Sequence, residues 1–331
     1  MSEQPLVVVD GLEMVFHVGD KSIRPLTGIS LTVQRDETIG IVGESGSGKS
    51  VLVRTIMGLI GEGRSSERRG TIRFAEVEIT ALSEKELREL WGKRIGMILQ
   101  DPMSSLNPVR KIGAQLIETI RLHHGSTRSD ARARAIELLT EVGLPDPESR
   151  LSMYPYELSG GQRQRVMIAI ALAGEIELLI ADEPTTALDV SIQNQILNLL
   201  ARRREARGMS MLLVTHDLAV AAGRTDRIIV MYAGEIVESA PTVELFENVR
   251  MPYTRALLDA SPRLSAPSRT PVSGIRGLPP SLAAVPEGCR FAARCRFVQD
   301  KCREEHPPLE ADPDGHLYRC WFPLGEVRET R

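Results

Sequence analysis

Gly43-Glu44-Ser45-Gly46-Ser47-Gly48-Lys49-Ser50 is the stretch that decides the fold. It follows Thr38-Ile39-Gly40-Ile41-Val42, an apolar, β-rich run that reads as a buried strand. It leads into Val51-Leu52-Val53-Arg54-Thr55-Ile56-Met57, which continues as a helix. Three glycines let consecutive backbone N–H groups turn inward around a phosphate, and the helix N-terminus adds its positive end. Lys49 then reaches the β- and γ-phosphates, and the Ser50 hydroxyl ligates Mg²⁺. The alternative is a glycine-rich turn that fits the pattern by accident. The strand before it, the helix after it and the scarcity of lysine in the chain argue against that.

Further segments repeat the chemistry. Leu178-Leu179-Ile180-Ala181 is an apolar run ending in Asp182-Glu183, which is how a central parallel strand delivers acids to the carboxyl edge of a sheet. Asp182 is expected to hold Mg²⁺ and Glu183 to polarise the attacking water. Met211-Leu212-Leu213-Val214-Thr215 is a second such run and sets down His216, a candidate to hydrogen-bond the γ-phosphate or the water. A histidine in that place is by itself more often structural. Ile95 to Leu99 reads as a strand delivering Gln100, and Ser159-Gly160-Gly161-Gln162 stands before a helical stretch from Arg163 to about Ala173, so it looks like a second anion cradle. One triphosphate does not need two cradles from one chain, whereas two chains arranged head to tail would use both.

In this order the segments resemble the nucleotide-binding subunits of ABC transporters. Gly43 to Ser50 matches Walker A, Gln100 the Q-loop, Leu158 to Gln162 the signature, and Leu178 to Glu183 Walker B. Ala187-Leu188-Asp189 matches the D-loop and His216 the H-loop. The resemblance covers about residues 6 to 240. It implies a P-loop NTPase, RecA-like α/β core with an N-terminal antiparallel β-layer and a helical subdomain at about 101–175. It also implies ATP and Mg²⁺ as ligands, with Ser50, Gln100 and Asp182 around the metal. Glu183, Gln100 and His216 are the catalytic candidates, and the residues from Gly43 through Val51, Ser159 to Gln162 and Asp189 hold nucleotide. An aromatic stacks on adenine in this family, and Phe16 is the candidate, although it fits a core position equally well.

The segments between motifs narrow the resemblance. Gln100 to Pro108, Tyr154 to Gly161, Gln164 to Ala169, Pro252 to Leu258, Gly277 to Leu282, Gly288-Cys289-Arg290-Phe291 and Arg294-Cys295 are similar to dipeptide, oligopeptide and nickel importer ATPases. That implies two transmembrane permease subunits, a second related ATPase subunit, an extracytoplasmic solute-binding protein, and a peripheral place on the cytoplasmic face of the inner membrane. Nickel or glutathione import remains open within the subfamily. A DNA-repair or translation-associated ABC ATPase is the rival class, and a P-loop kinase a third.

Composition agrees. A formal net charge of −3 argues for neither nucleic acid nor an anionic membrane surface. No apolar run approaches the ~20 residues of a membrane span, and Met1-Ser2-Glu3-Gln4-Pro5 has no secretory character. Leu6 to Val9 and Ile29 to Val33 read as strands, and Ile112 to Val142 as helices around a polar hinge in which His123 and His124 are expected to be solvated. Ile192, Ile196, Leu199 and Leu200 form a core-facing helix stripe, with Arg202-Arg203-Arg204 at the helix end. Ile228 to Tyr232 and Glu235 to Glu238 flank a hairpin turn.

Residues 241–331 read as an appended module, separate from a nucleotide-binding domain at 1–240, because all four cysteines lie there. Cys289, Cys295, Cys302 and Cys320 are spaced C-x5-C-x6-C-x17-C. In a reducing compartment such a set favours metal over disulfides. The spacing lacks paired C-x2-C knuckles, so a [4Fe–4S] cluster, which some similar importer ATPases carry, is the leading expectation. Zinc and free thiols are the alternatives.

Overall fold

The computed structural model describes residues 4–100, 105–185, 189–260 and 274–325. Its elements begin with β1 (Val7–Val18), β2 (Lys21–Val33), β3 (Thr38–Val42), α1 (Lys49–Ile56), β4 (Ser66–Phe74), β5 (Val77–Glu78), α2 (Glu84–Leu90) and β6 (Ile95–Ile98). Next come α3 (Ile112–His124), α4 (Arg128–Glu141), α5 (Pro147–Arg150), α6 (Gly160–Ala171), β7 (Leu178–Asp182), α7 (Val190–Arg207) and β8 (Ser210–Thr215). The chain ends with α8 (Leu218–Ala222), β9 (Arg227–Tyr232), β10 (Glu235–Pro241), α9 (Thr242–Glu247), α10 (Pro252–Ala260), α11 (Asp300–Glu304), β11 (Glu310–Ala311) and β12 (Leu317–Tyr318). Among the described residues no helix is long and apolar enough to cross a membrane.

The chain forms two compact units. One holds residues 1–33, 38–80 and 213–331, the other 34–37 and 81–212. In the first unit β1 and β2 make a long hairpin, from Val7 opposite Val33 to Val18 opposite Lys21, and β4 and β5 extend it to an antiparallel sheet ordered β2-β1-β4-β5. Sequence periodicity exposes only the open end of this hairpin, where Val7 to Val9 lie beside Leu31 to Val33. Its middle still buries Leu12 and Met14 of β1 and Leu26 and Ile29 of β2, but register shifts between Val9 and Phe16 interrupt the two-residue period along the strand.

All five residues of β3 are buried, as a parallel strand covered on both faces requires. It pairs with β9 from Ile39 opposite Arg227 to Val42 opposite Val230. The β9–β10 turn uses Ala233 and Gly234, both at positive φ (46° and 88°). β12 pairs with β10, Tyr318 opposite Glu238 and Leu317 opposite Ser239, so strand pairing crosses the expected boundary at residue 240. Buried charges fasten the same place. Glu235, 4 % exposed, meets Arg290 at 3.0 Å and His306 at 3.0 Å. Fully buried Glu238 accepts the Arg250 N–H at 2.6 Å and lies 2.9 Å from His316 Nε2.

In the second unit β6 and β7 run parallel, Ile95 opposite Leu178 to Ile98 opposite Ala181. Ile196, Leu199 and Leu200 of the α7 stripe are buried. The arginine run at its end works within the fold: Arg203 donates to the Glu141 carbonyl at 2.6 Å and Arg207 to its carboxylate at 3.1 Å, tying α7 to α4. The two hinge histidines are not simply solvated. His124 lies 2.8 Å from the Ala173 carbonyl through Nε2. A Cβ on Gly92 would meet the His123 ring at 2.4 Å, and burial there lowers the His123 pKa below its ordinary value.

Candidate functional site

The Walker A loop is held from behind. Gly43 has no room for a side chain, because a Cβ would lie 2.2 Å from the Met231 carbonyl oxygen. Gly48, at φ 104°, would put one 2.4 Å from the Pro25 carbonyl oxygen. Gly48 is the N-cap of α1, so that helix begins at Lys49 with its amide end facing the loop. Lys49 is only 4 % exposed and folds its ammonium onto the loop, donating to the carbonyls of Gly43 at 2.7 Å and Glu44 at 2.9 Å. The Ser47 hydroxyl is buried and has no hydrogen-bond partner among the described residues. A buried cation, an unsatisfied hydroxyl and a helix N-terminus on one loop fit a triphosphate chemically. Ser45 and Gly46 are exposed, while Ser50 and Val51 are half-buried.

Beside the loop is a cavity of about 310 Å³ lined by Glu44 to Ser47, Ile23, Tyr232, Ala233 and Pro279 to Ala283. Phe16 is half-buried on β1 directly opposite Ile23.

In the second unit β7 delivers Asp182, wholly buried, and Glu183 follows at φ 48°. A non-glycine residue in the left-handed region stores strain, and such strain gathers at working sites. Gln100, exposed just past β6, donates from Nε2 to the Glu183 carboxylate at 3.0 Å, so these two expected site residues meet. Gln164 was not singled out by sequence reasoning. Buried on α6, it donates to the Pro184 carbonyl at 2.6 Å and so holds the turn that carries Glu183. An amide on a buried helix face was the signal that could have found it.

The signature turn holds itself. Ser159 caps α6 by accepting the Gln162 N–H at 3.3 Å, and the Gln162 side chain accepts the Ser159 N–H at 3.0 Å. Ser159 is exposed, and Gly160 and Gly161 occupy the open first turn. A Cβ on Gly161 would come within 3.1 Å of Ile192 Cγ2. Asp189 caps α7 by accepting the Ile192 N–H at 2.9 Å, while Ala187 and Leu188 lie outside the described residues. His216 is exposed just past β8.

Cys289, Cys295, Cys302 and Cys320 line one cavity together with Phe291, Phe297, Trp321 and Phe322. Burial pushes the Cys289 thiol up to about 11 and the Cys320 thiol up to about 12. As packed, the cavity measures only about 10 Å³. No group of three or more His, Cys, Asp or Glu among the described residues is arranged to hold a metal ion. The four thiols therefore gather in one place, as the spacing suggested, without forming a ready metal site.

A phosphate-cradling loop on a P-loop fold, acids at a strand end and a glycine cradle capping a helix define a nucleotide-binding cassette. The ABC transporter family pattern matches residues 26–186, and that of the oligopeptide/dipeptide transporter C-terminal region matches 237–302. The dipeptide transport ATP-binding protein DppD of Escherichia coli is 46 % identical over 97 % of this chain and 98 % of its own, and that of Shigella flexneri matches equally. Among solved structures, the dimeric ATP-binding cassette MJ0796 bound to ADP and Pi superposes with TM-score 0.64 at 29 % identity, covering 71 % of this chain and 98 % of its own. The cbiO1 protein of Clostridium perfringens, part of an ABC transporter complex, gives TM-score 0.62 at 27 % identity over 74 % of this chain and 92 % of its own. The chain belongs to the ABC transporter ATPases, in the branch that carries the oligopeptide/dipeptide transporter C-terminal region.

Proposed function

We propose that this chain hydrolyses ATP to power peptide import through a membrane permease. The similarity to a dipeptide transport ATP-binding protein across nearly the whole chain carries this reading. The extension at 237–302 supports it over a non-transport ABC ATPase.

In this reading the backbone of Gly43 to Ser50 and the Lys49 ammonium hold the triphosphate, and Phe16 packs on adenine. Ser50, Gln100 and Asp182 hold Mg²⁺, which neutralises charge on the phosphate oxygens when bound. Glu183 polarises the attacking water, oriented by Gln100, and His216 hydrogen-bonds the γ-phosphate or that water. The hydrogen bond from Gln100 to Glu183 supports their joint assignment. Ser159 to Gln162, with Asp189, face the ATP held by a second, related ATPase subunit, so that ATP draws two cassettes together and hydrolysis releases them. Two permease subunits receive that motion at the cytoplasmic face of the inner membrane, and a solute-binding protein supplies the peptide.

The test is peptide-stimulated phosphate release by the assembled importer. Glu183→Gln is expected to retain ATP, trap the closed pair and stop turnover. Unchanged hydrolysis would remove Glu183 from the base role. Co-purification with hydrophobic permease chains is expected, and nucleic acid in their place would favour the rival class.

The four-cysteine lobe is the proposed seat of a [4Fe–4S] cluster. All four cysteines line one cavity, which supports a shared ligand for the four thiols. The cavity is too small as packed, so loading requires the thiols to part. Anaerobic purification is expected to give iron and sulfide in equal amounts. Protein loaded with zinc and free of iron would end the proposal.

A further inference from the structure

We propose that Arg294 and Tyr253, both from the C-terminal extension, are positioning residues for ATP: they grip Glu44 and so hold the Walker A loop in its phosphate-binding shape. The proposal rests on reading Gly43 to Ser50 as the triphosphate loop.

Glu44 is held at three groups. Its N–H donates to the Tyr253 hydroxyl at 2.9 Å. Its carbonyl accepts from Lys49 Nζ at 2.9 Å. Its carboxylate takes both arms of the Arg294 guanidinium, at 2.5 and 2.8 Å. The Arg294 side chain is 4 % exposed, against 27 % for Glu44, so this two-armed pair works largely out of water, where such pairs are strongest.

The two grips are themselves fixed. Arg294 also donates to the Arg276 carbonyl at 3.0 Å and the Tyr232 hydroxyl at 3.2 Å. Its guanidinium lies 5.8 Å from the Tyr232 ring centre and 6.0 Å from that of Phe291. Tyr253 packs against the same two rings, with centroids 4.5 and 5.3 Å away. Little freedom remains on the extension's side, so Glu44 takes up a position dictated by it.

The loop needs such a hold. Beyond Glu44 come Ser45 and Gly46, both exposed, with Gly46 at φ 80°. Glu44 is thus the last point at which the outer limb is anchored before that exposed crest. Lys49 is aimed by the carbonyls of Gly43 and Glu44, so a shift of this limb also moves the ammonium that meets the phosphates. Fixing a loop in its bound shape raises affinity by removing the cost of ordering it.

The test is titration of the full chain with the fluorescent analogue MANT-ATP and Mg²⁺, alongside thermal melting. Arg294→Ala is expected to weaken binding about tenfold, Tyr253→Phe by a few-fold, and Arg294→Lys to restore part of the loss. Adding Arg294→Ala to Glu44→Gln is expected to cost little more than either alone, a coupling that a merely structural arginine would not show. If Arg294→Ala does not fold, Glu44→Gln and Tyr253→Phe decide, since each deletes a bond without emptying volume. Variants that bind as the wild type does, whatever their melting temperature, or losses that simply add, would overturn the clamp. Undiminished binding by Lys49→Ala would instead overturn the underlying reading of the loop.

Discussion

The two glycine turns proposed as anion cradles are held in opposite ways. Gly43 to Ser50 is shaped by other parts of its unit: carbonyls of β2 and β9 press on its glycines, and Tyr253 and Arg294 seize Glu44. Ser159 to Gln162 is shaped by its own reciprocal capping bonds and presents an exposed serine. On the proposed function the first cradle holds a ligand by itself. The second is a stable lip, suited to a ligand that another surface brings.

The largest contrast is expected from the cations and acids. Lys49→Ala should abolish binding of MANT-ATP to the isolated chain, because the loop loses its only buried ammonium, and no substitution in the signature should do so. Glu183→Gln should preserve binding while lowering steady-state phosphate release about 10²–10⁴-fold.

The same substitution in each cradle sharpens the comparison. Gly48→Ala forces a Cβ to 2.4 Å from a backbone oxygen at φ 104°, so it should collapse the loop and cost most of the ATP affinity. Gly161→Ala brings a Cβ to 3.1 Å from Ile192 Cγ2, a side-chain atom able to shift, and should lower stability by only about 1 kcal/mol in thermal melts. The smallest effect belongs to Ser159→Ala, which removes the helix cap. It is expected to cost about 1 kcal/mol or less and leave the isolated chain's nucleotide affinity unchanged.

What could be read in advance follows the same division. Strand, glycine loop and helix at Thr38 to Ile56, the acids after Leu178 and the strand before His216 were all legible, because each motif's chemistry is contained in a short run. The middle of the β1–β2 hairpin was not, since its register shifts interrupt the two-residue period that marks a strand. Nor was the grip on Glu44: Arg294 lies 250 residues away, and nothing in either neighbourhood announces the other. His123 was misread because its partner is the bare backbone of Gly92, a contact that hydropathy cannot register. The cysteines announced their gathering through spacing alone, but spacing does not tell how closely thiols converge.

The central claim is that Walker A binds this chain's own ATP while the signature serves a partner's. It is tested most directly by the affinity of the isolated full chain for MANT-ATP with Mg²⁺ after Ser159→Arg. The account predicts wild-type affinity, with turnover lost only in the assembled importer. Loss of binding as complete as that caused by Lys49→Ala would mean that both cradles serve one nucleotide in one chain, and would contradict it.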